Sequence, residues 1–199
     1  MAMIDFWYSI GSTYSYLTVM RLSGVAQTAG IDFRWRPFNV RHVMMAQNNI
    51  PFKDKPEKTA HMWRDIERRA ARYGLAPTIP APYPLPGLVL ANQVATLGAE
   101  EGWGEAYTRA TYRRWFEVGQ PAGEDANLSD SLSEIGEDPI RVIEAAQASR
   151  IVEALALATN QAMEVGVFGS PSFLVDGELF WGDDRLEDAI NWARVGKLT

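Results

Sequence analysis

One serine stands where an apolar strand gives way to a helix. The stretch FWYSIGSTYSYL, residues 6–17, runs from an apolar segment through Gly11 to Ser12 and then into a helical pattern. Ligands of open α/β sheets bind at the carboxyl ends of the strands, so the Ser12 hydroxyl is a candidate binding or catalytic group. Serine is also a good helix N-cap, and the residues alone leave both roles open.

The composition limits the chemistry that the chain can perform with its own side chains. The 199 residues include no cysteine and only two histidines, His42 and His61. Disulfides, thiolate metal sites and a redox-active CxxC are therefore excluded, and no metal site is expected. Any sulfur chemistry must use a thiol supplied from outside the chain.

Charge and hydropathy predict a soluble protein that binds neither nucleic acid nor membrane. The formal net charge is −6 and 47% of the residues are apolar, whereas a nucleic-acid interface needs a clustered basic face. The amino-terminal MAMIDFWYSI lacks a basic region and carries Asp5, so no signal peptide is predicted. Later apolar stretches are too short to span a bilayer, and we expect a cytoplasmic protein.

The first forty residues read as a βαβ unit. Residues 3–9 are nearly all apolar or aromatic, as in a strand buried on both faces. Residues 13–29 have helical periodicity with Ser12 as the predicted N-cap. Residues 31–38 alternate apolar and charged side chains, which predicts a strand that ends at Pro37.

The middle of the chain is predicted to be helical. Apolar side chains recur at helical spacing from residue 57 to about 165, except in the connector PTIPAPYPLPG, residues 77–87. Its five prolines exclude a regular helix or a central strand. The predicted buried stripes are Met62, Ile66, Ala70 and Tyr73; Leu90, Val94 and Leu97; and Ile151, Leu155 and Ala158.

The end of the chain returns to strands. Asp176-Gly177 separates two apolar runs within residues 172–181, which is a strong signal for a β-hairpin. Asp184 and Glu187 then have the spacing of a capping box, followed by a helix with Leu186, Ala189, Ile190 and Ala193 on its buried face. The predicted ending is ββα.

These parts together predict an α/β protein with a thioredoxin-like fold and a large all-helical insertion. A single unit would cover residues 1–199, with the thioredoxin-like part at about 1–45 and 166–199. The helical insertion would occupy about residues 46–165. This order follows from periodicity alone.

Pro171 lies directly before the predicted hairpin, in GVFGSPSF. Proline suits the first residue of a strand, and an X–Pro bond is cis in only about 5–6% of cases, so the residues alone favour a trans bond. The predicted fold raises the chance of a cis bond considerably, and the isomer of the Ser170–Pro171 bond stays open at this point. In thioredoxin-like folds, a cis proline at this place presents the backbone N–H and C=O of the preceding residue to a peptide-like ligand.

Three motifs carry a resemblance to a known family: DFWYSIGSTYSYL, NNIPFKDKPEKTAHMWRDIERRA and GVFGSPSFLVDGELFWGDDRLEDA. In this order and spacing, the chain resembles the 2-hydroxychromene-2-carboxylate isomerases and their relatives, the kappa-class glutathione transferases. Both belong to the DsbA-like branch of the thioredoxin superfamily. In that family a serine replaces the redox cysteine and faces bound glutathione, and the matching residue is Ser12. A hydroxyl at a helix amino terminus would favour the thiolate by donating to it.

The resemblance also implies further contacts with glutathione. Asn49 of NNIP would hold the cysteinyl or substrate end, and Lys58 would pair with the glycine carboxylate or with the substrate. Asp183 and Asp184 would grip the γ-glutamyl group. Each has a plainer reading, since Asn49 suits a turn, Lys58 belongs to a basic run, and acids suit a helix start. Backbone contacts would come from Phe168, Ser170 and Pro171.

Two departures from the family pattern bear on the substrate. Thr13 stands where a proline often follows the catalytic serine, and His61 replaces a common tyrosine. His61 is the one imidazole expected near the site as an acid or base, although packed or exposed histidines are more common. Several aromatic residues could line the binding site of an aromatic substrate or belong to the core. They are Trp7, Tyr8, Trp35, Trp63 and Trp115.

The resemblance implies an isomerase that uses glutathione without consuming it. Its substrate would be 2-hydroxychromene-2-carboxylate or a related aromatic ring-cleavage product, and its product the trans-benzylidenepyruvate. The alternatives are a kappa-like transferase that conjugates glutathione to electrophiles, and a non-catalytic thiol-binding module. The resemblance further implies a homodimer.

Overall fold

The computed structural model describes residues 3–198 and is built on a four-stranded mixed sheet of order β2-β1-β3-β4. Strand β1 (Met3–Tyr8) pairs in parallel with β2 (Asp32–Pro37) and antiparallel with β3 (Ser172–Val175). Strand β4 (Glu178–Trp181) pairs antiparallel with β3. The predicted βαβ start, ββα end and thioredoxin-like α/β fold are confirmed. Residues 1, 2 and 199 of the predicted unit lie outside the described residues.

Helices surround this sheet and fill the middle of the chain. Helix α1 (Ser15–Ala29) connects β1 to β2, and α9 (Leu186–Val195) follows β4. The helices between β2 and β3 are α2 (Val40–Ala46), α3 (Pro56–Arg72), α4 (Leu88–Glu101), α5 (Gly104–Arg113), α6 (Asp125–Glu134), α7 (Pro139–Ala146) and α8 (Ser149–Glu164). The predicted helical block is confirmed. Within residues 3–198 no helix is long and apolar enough to cross a membrane.

Strand β1 is apolar except at Asp5 because both of its faces are covered. On one face the Phe6 ring stacks on Phe173 at 5.5 Å and meets the edge of Trp35 at 4.9 Å. On the other face Trp7 packs against Phe38 and neighbouring residues of α2 and α8. A strand buried on both faces needs apolar residues at most positions, and the one charged residue of β1, Asp5, is only half-buried and pairs with Arg34 of β2.

The connector of residues 77–87 contains neither helix nor strand, as predicted. The connector is hydrogen-bonded to a π-helical turn, Arg114–Val118, that continues α5. The Trp115 Nε1–H donates to the Pro82 carbonyl at 2.7 Å, and the Thr78 amide donates to the Phe116 carbonyl at 2.7 Å. These bonds hold the connector against the core although it lacks secondary structure of its own.

The predicted hairpin turn is confirmed, because Asp176 and Gly177 have φ of 50° and 84° and join β3 to β4. The predicted capping box is wrong. Asp183–Arg185 forms a 3₁₀ turn, α9 begins only at Leu186, and neither Asp184 nor Glu187 caps the helix. The extra turn shifts the N-cap by one residue, from Asp184 to Arg185, and removes the capping-box spacing.

Candidate functional site

Ser12 lies in the turn between β1 and α1, but it does not cap the helix. Gly11 turns the chain with φ of 125°, and the Ser12 amide donates to the Ser9 carbonyl at 3.0 Å. Helix α1 begins at Ser15, and its N-cap is Tyr14, which has helical dihedral angles and makes no side-chain cap bond. The N-cap prediction for Ser12 is therefore wrong. Its hydroxyl donates instead to the Ser170 carbonyl at 2.6 Å.

The start of α1 leaves backbone amides free beside this hydroxyl. The amides of Tyr16 and Leu17 donate to Thr13 and Tyr14, whereas those of Thr13, Tyr14 and Ser15 have no acceptor among residues 3–198. Free amides at a helix amino terminus attract an anion, helped by the helix dipole. The turn therefore offers a hydroxyl and several N–H donors to one negatively charged atom.

Ser170 joins the two halves of the site. Its buried Oγ accepts from the Ser9 amide at 2.9 Å and shares a hydrogen bond with the Ser15 Oγ at 2.8 Å. The Ser170–Pro171 peptide bond is cis, as the fold-based argument indicated and against the general preference of X–Pro bonds. Ser12 and Pro171, the two features singled out from the sequence, are thus brought together by Ser170.

Tyr112 of α5 supports the Ser12 turn from the core side. Its hydroxyl donates to the carbonyls of Ser9 at 2.9 Å and Ser12 at 3.0 Å. Burial raises the pKa of Tyr112, so the phenol stays protonated and remains a donor. The amide after Ser9, that of Ile10, donates to the buried Asn92 Oδ1 at 2.9 Å, whereas the amide after Ser12, that of Thr13, has no acceptor among residues 3–198 and stays available to a ligand. Nothing in the sequence pattern indicated this role.

We expect Tyr112→Phe to lower the free energy of unfolding by about 1–3 kcal/mol, because two buried carbonyls lose their donor. Chemical denaturation measures the loss. Tyr107→Phe is the matched control, since Tyr107 is equally buried but its hydroxyl makes one long bond of 3.4 Å. Equal losses in the two variants would contradict the supporting role of Tyr112.

The acidic pair is split between the interior and the surface. Asp183 is buried, and its carboxylate accepts from Thr18 at 3.0 Å, from Tyr73 at 3.1 Å and from Arg21 at 3.2 Å. Burial raises the pKa of Asp183, although these three donors favour its charged form. Asp184 is exposed. A contact of either residue with glutathione stays a prediction. Asp184 is the more accessible of the two, although its Oδ2 lies 3.4 Å from an Arg185 nitrogen and 3.7 Å from an Arg69 nitrogen.

Helix α3 closes the other side of the site. The Thr13 Oγ1 lies 3.0 Å from the Met62 Sδ, and the Tyr14 hydroxyl donates to the Asp65 Oδ2 at 3.1 Å. Burial, together with Asp65, raises the pKa of Tyr14 to about 12. These contacts place the first turns of α3 beside Ser12, with Lys58 about one helical turn before Met62.

The remaining predicted residues lie on the surface and contact neither Ser12 nor Ser170. Asn49 is exposed, and its amide donates to the Met44 carbonyl at 2.8 Å. The exposed Lys58 has its Nζ 5.7 Å from the centre of the Phe52 ring. His61 and Phe168 are also exposed. Their roles toward a ligand stay predictions, and within the described ranges no group of side chains could hold a metal ion.

The aromatic residues near the site are mostly not those suggested by the sequence. Trp7, Tyr8 and Trp115 are fully buried core residues and cannot wall a ligand, and the partly buried Trp35 packs against Phe6. The partly exposed rings of Phe52, Trp63 and Tyr83 form a cluster next to the buried Phe116, and we term these three rings the aromatic cluster. Tyr83 lies 6.3 Å from Phe52 and 6.0 Å from Trp63, and Trp63 lies 6.3 Å from Phe116.

Phe52 and Tyr83 were missed because each belongs to a segment that reads as irregular. Phe52 follows the NNIP motif, and Tyr83 stands among the prolines of the connector. One signal was available. An aromatic residue in a proline-rich connector without helix or strand periodicity has no secondary-structure reason to be there, so a role in binding or packing was open.

Fold and site together define a thioredoxin-fold protein that has a serine at the turn before α1 and a cis proline opposite it. The profile of the DSBA-like thioredoxin domain matches residues 3–190, and the chain belongs to that family.

More specific similarities point to one kind of relative. The chain is 28% identical to a 2-hydroxychromene-2-carboxylate isomerase of Sphingobium xenophagum, covering 92% of this chain and 94% of that protein. It is 29% identical to an isomerase of the same name from Pseudomonas putida, covering 92% and 90%. A solved structure of a 2-hydroxychromene-2-carboxylate isomerase superposes with a TM-score of 0.84 at 25% identity, covering 95% of this chain and 94% of that one.

Proposed function

We propose that this protein is a glutathione-dependent isomerase that converts 2-hydroxychromene-2-carboxylate, or a related aromatic ring-cleavage product, to the trans-benzylidenepyruvate. The observation that carries the proposal is the Ser12 hydroxyl, 2.6 Å from the carbonyl before the cis proline, in a chain without cysteine. The similarity to proteins named as such isomerases supports the choice of substrate.

The donor set around Ser12 fits a thiol ligand better than a carboxylate or phosphate. A thiolate has one small charged atom, which a hydroxyl and a few converging amides can satisfy, whereas no basic side chain contacts the Ser12 turn among the described residues. Glutathione, when bound, would supply the thiol nucleophile that the chain lacks. Ser12 and the free amides of Thr13 and Tyr14 would stabilise the charged sulfur.

Backbone groups next to Pro171 would hold the peptide part of glutathione. The Ser170 carbonyl already accepts from the Ser12 hydroxyl, which shows that it points into the site. A ligand amide could take over this acceptor and leave the Ser12 hydroxyl free to donate to the sulfur. Asn49 and Lys58 would contact the cysteinyl-glycine end, and Asp184 the γ-glutamyl end.

The aromatic cluster would bind the ring of the substrate. Tyr83 is 37% exposed, so its ring offers accessible surface beside Phe52 and Trp63. The cationic Lys58 lies over Phe52. Burial raises the pKa of Tyr83, and the nearby positive charge of Arg41 acts in the opposite direction. Apolar rings next to two cations complement an aromatic carboxylate.

We expect Tyr83→Ala to raise the KM for the aromatic substrate by about 3- to 10-fold, because one aromatic contact is worth about 0.5–1.5 kcal/mol. Steady-state kinetics at saturating glutathione measures the change. Tyr83→Phe keeps the ring and should retain the wild-type KM within about twofold. An unchanged KM in Tyr83→Ala would place the substrate ring elsewhere.

One assay tests the proposed function against its alternatives. The protein is mixed with glutathione and 2-hydroxychromene-2-carboxylate, and both the absorbance of the isomer and the concentration of free thiol are followed. Isomerisation without loss of thiol supports the isomerase. Loss of thiol would indicate a kappa-like transferase, and glutathione binding without reaction would indicate a thiol-binding module.

Location and assembly belong to the same proposal. The cytoplasm keeps thiols reduced, which a glutathione-dependent enzyme requires. We infer a homodimer and the division into a thioredoxin-like part and a helical insertion from the family resemblance. Size-exclusion chromatography with light scattering tests the homodimer.

A further inference from the structure

Arg69 of α3 is surrounded by carboxylates but is bonded to only one of them. Its Nε–H donates to the Asp65 Oδ2 at 3.2 Å. Its terminal nitrogens lie 3.8 Å from the Asp183 Oδ2 and 3.7 Å from the Asp184 Oδ2, which exceeds hydrogen-bond distance. The terminal N–H groups therefore make no hydrogen bond to any residue from 3 to 198.

The neighbouring acids do not need Arg69 as a partner. Asp183 is already satisfied by Thr18, Tyr73 and Arg21. Asp65 also accepts from Tyr14 and Arg68. Burial tends to raise the pKa of Asp65, but the bonds from Arg68 and Tyr14 and the charge of Arg69 lower it below its usual range. The terminal N–H groups of the Arg69 guanidinium are therefore available as donors to a ligand.

Asp184 places this arginine next to the cis proline. The Gly182 amide donates to the Pro171 carbonyl at 3.0 Å. A Cβ added to Gly182 would lie 2.6 Å from the Asp184 Oδ1, so this carboxylate stands directly over the Gly182 backbone. The side chains of Arg69 and Asp184 are 29% and 41% exposed, and both are open to a ligand that extends from Pro171.

We propose that Arg69 is a specificity-determining residue that binds the α-carboxylate of the γ-glutamyl group, while Asp184 binds its α-ammonium. This inference rests on the proposed glutathione function. An α-amino acid carries both charges on one carbon, and an ion pair whose groups are 3.7 Å apart, without a hydrogen bond between them, is complementary to it. Asp183 then contributes to the site only as the buried support of the turn.

The arrangement distinguishes glutathione from other thiols by its far end. A thiol without the α-carboxylate would leave the terminal N–H groups of Arg69 without an acceptor. A thiol without the α-ammonium would bring a second negative charge next to Asp184. Both kinds of thiol would still reach Ser12, so the discrimination affects binding and not the reactivity of the sulfur.

A double-mutant-type cycle tests the proposal: one arm removes the α-carboxylate from the ligand, and the other replaces Arg69 in the protein. Dissociation constants are measured by calorimetry for glutathione and for 4-aminobutyryl-cysteinyl-glycine, which lacks only the α-carboxylate. The wild type should bind the analogue about tenfold more weakly than glutathione, as expected for the loss of a charged hydrogen bond. Arg69→Gln should bind glutathione about tenfold more weakly and the analogue within about twofold of wild type.

The control is Arg68→Gln, because Arg68 also bonds to Asp65 but forms no ion pair with Asp183 or Asp184 within residues 3–198. It should bind both ligands as the wild type does. Equal weakening of both ligands in Arg69→Gln, or equal affinities of the wild type for both, would overturn the role of Arg69 and leave the proposed function standing. A wild type that binds neither ligand would overturn both proposals. The wild-type comparison does not depend on the folding of any variant.

Discussion

Ser12→Ala is expected to bind glutathione within about twofold of the wild type and to lose about 10- to 100-fold in turnover. A hydrogen bond to a charged group is worth about 1.5–3 kcal/mol, which corresponds to about one to two pKa units of the bound thiol. Without the hydroxyl the thiol pKa returns toward its solution value of about 8.5, and the reactive thiolate becomes scarce at neutral pH. The helix dipole and the free amides remain, so some activity remains.

The direct measurement is an ultraviolet titration of the thiolate at saturating glutathione. The thiol pKa should be higher in Ser12→Ala than in the wild type, in parallel with the lower turnover. Ser23→Ala is the matched control, because Ser23 lies on α1, the helix that follows Ser12, and bonds only to surface side chains, Glu105 and Arg109. If Ser12→Ala and the wild type had equal thiol pKa values and equal turnover, the role of Ser12 would be limited to its structural hydrogen bond with Ser170.

Asp183→Ala is expected to lower the free energy of unfolding by about 3–5 kcal/mol. The substitution leaves the Arg21 guanidinium, whose side chain is only 11% exposed, without the carboxylate that it bonds through two nitrogens. The hydroxyls of Thr18 and Tyr73 lose the same acceptor. Arg21 keeps its ion pair with Glu187, so the expected loss comes from the donors left without this acceptor, at about 1–3 kcal/mol for each buried one.

Chemical denaturation of Asp183→Ala and Asp184→Ala separates the two acids. Asp184 is exposed, so its removal should change the free energy of unfolding by no more than about 0.5 kcal/mol. A similar small change in Asp183→Ala would mean that the buried network does not support the turn before α9. A large loss in both would mean that Asp184 also has a structural role.

The features predicted best from the sequence are those that depend on residues adjacent along the chain. The strand of residues 3–8, the hairpin turn at Asp176-Gly177 and the irregular connector follow from local preferences, and the structure confirms them. The two ends of the site were also recognisable, because a serine after a strand and a proline before a hairpin are local signals. Their proximity followed from the predicted topology.

The errors have a common physical cause, which is competition from partners distant in sequence. Ser12 has the right residue type for an N-cap, but its hydroxyl bonds to Ser170 instead. The burial of Asp183 depends on Arg21 of α1 and on Tyr73, the residue that follows the end of α3. Two adjacent aspartates look equivalent in a sequence, and only the packing of α1 and α3 around one of them makes them different.

The Ser12–Ser170 hydrogen bond joins residues separated by 158 positions, and this separation has a consequence for biosynthesis. Strand β1 can pair with β2 early, but its other neighbour, β3, comes after the whole helical block. A ribosome-bound chain that ends before Ser170 therefore contains the Ser12 turn but lacks Ser170 and Pro171, which lie opposite it. Contacts between distant segments form slowly, and apolar strand edges without a partner promote aggregation. We expect nascent chains to bind thiols only after the β3–β4 hairpin has left the ribosome exit tunnel.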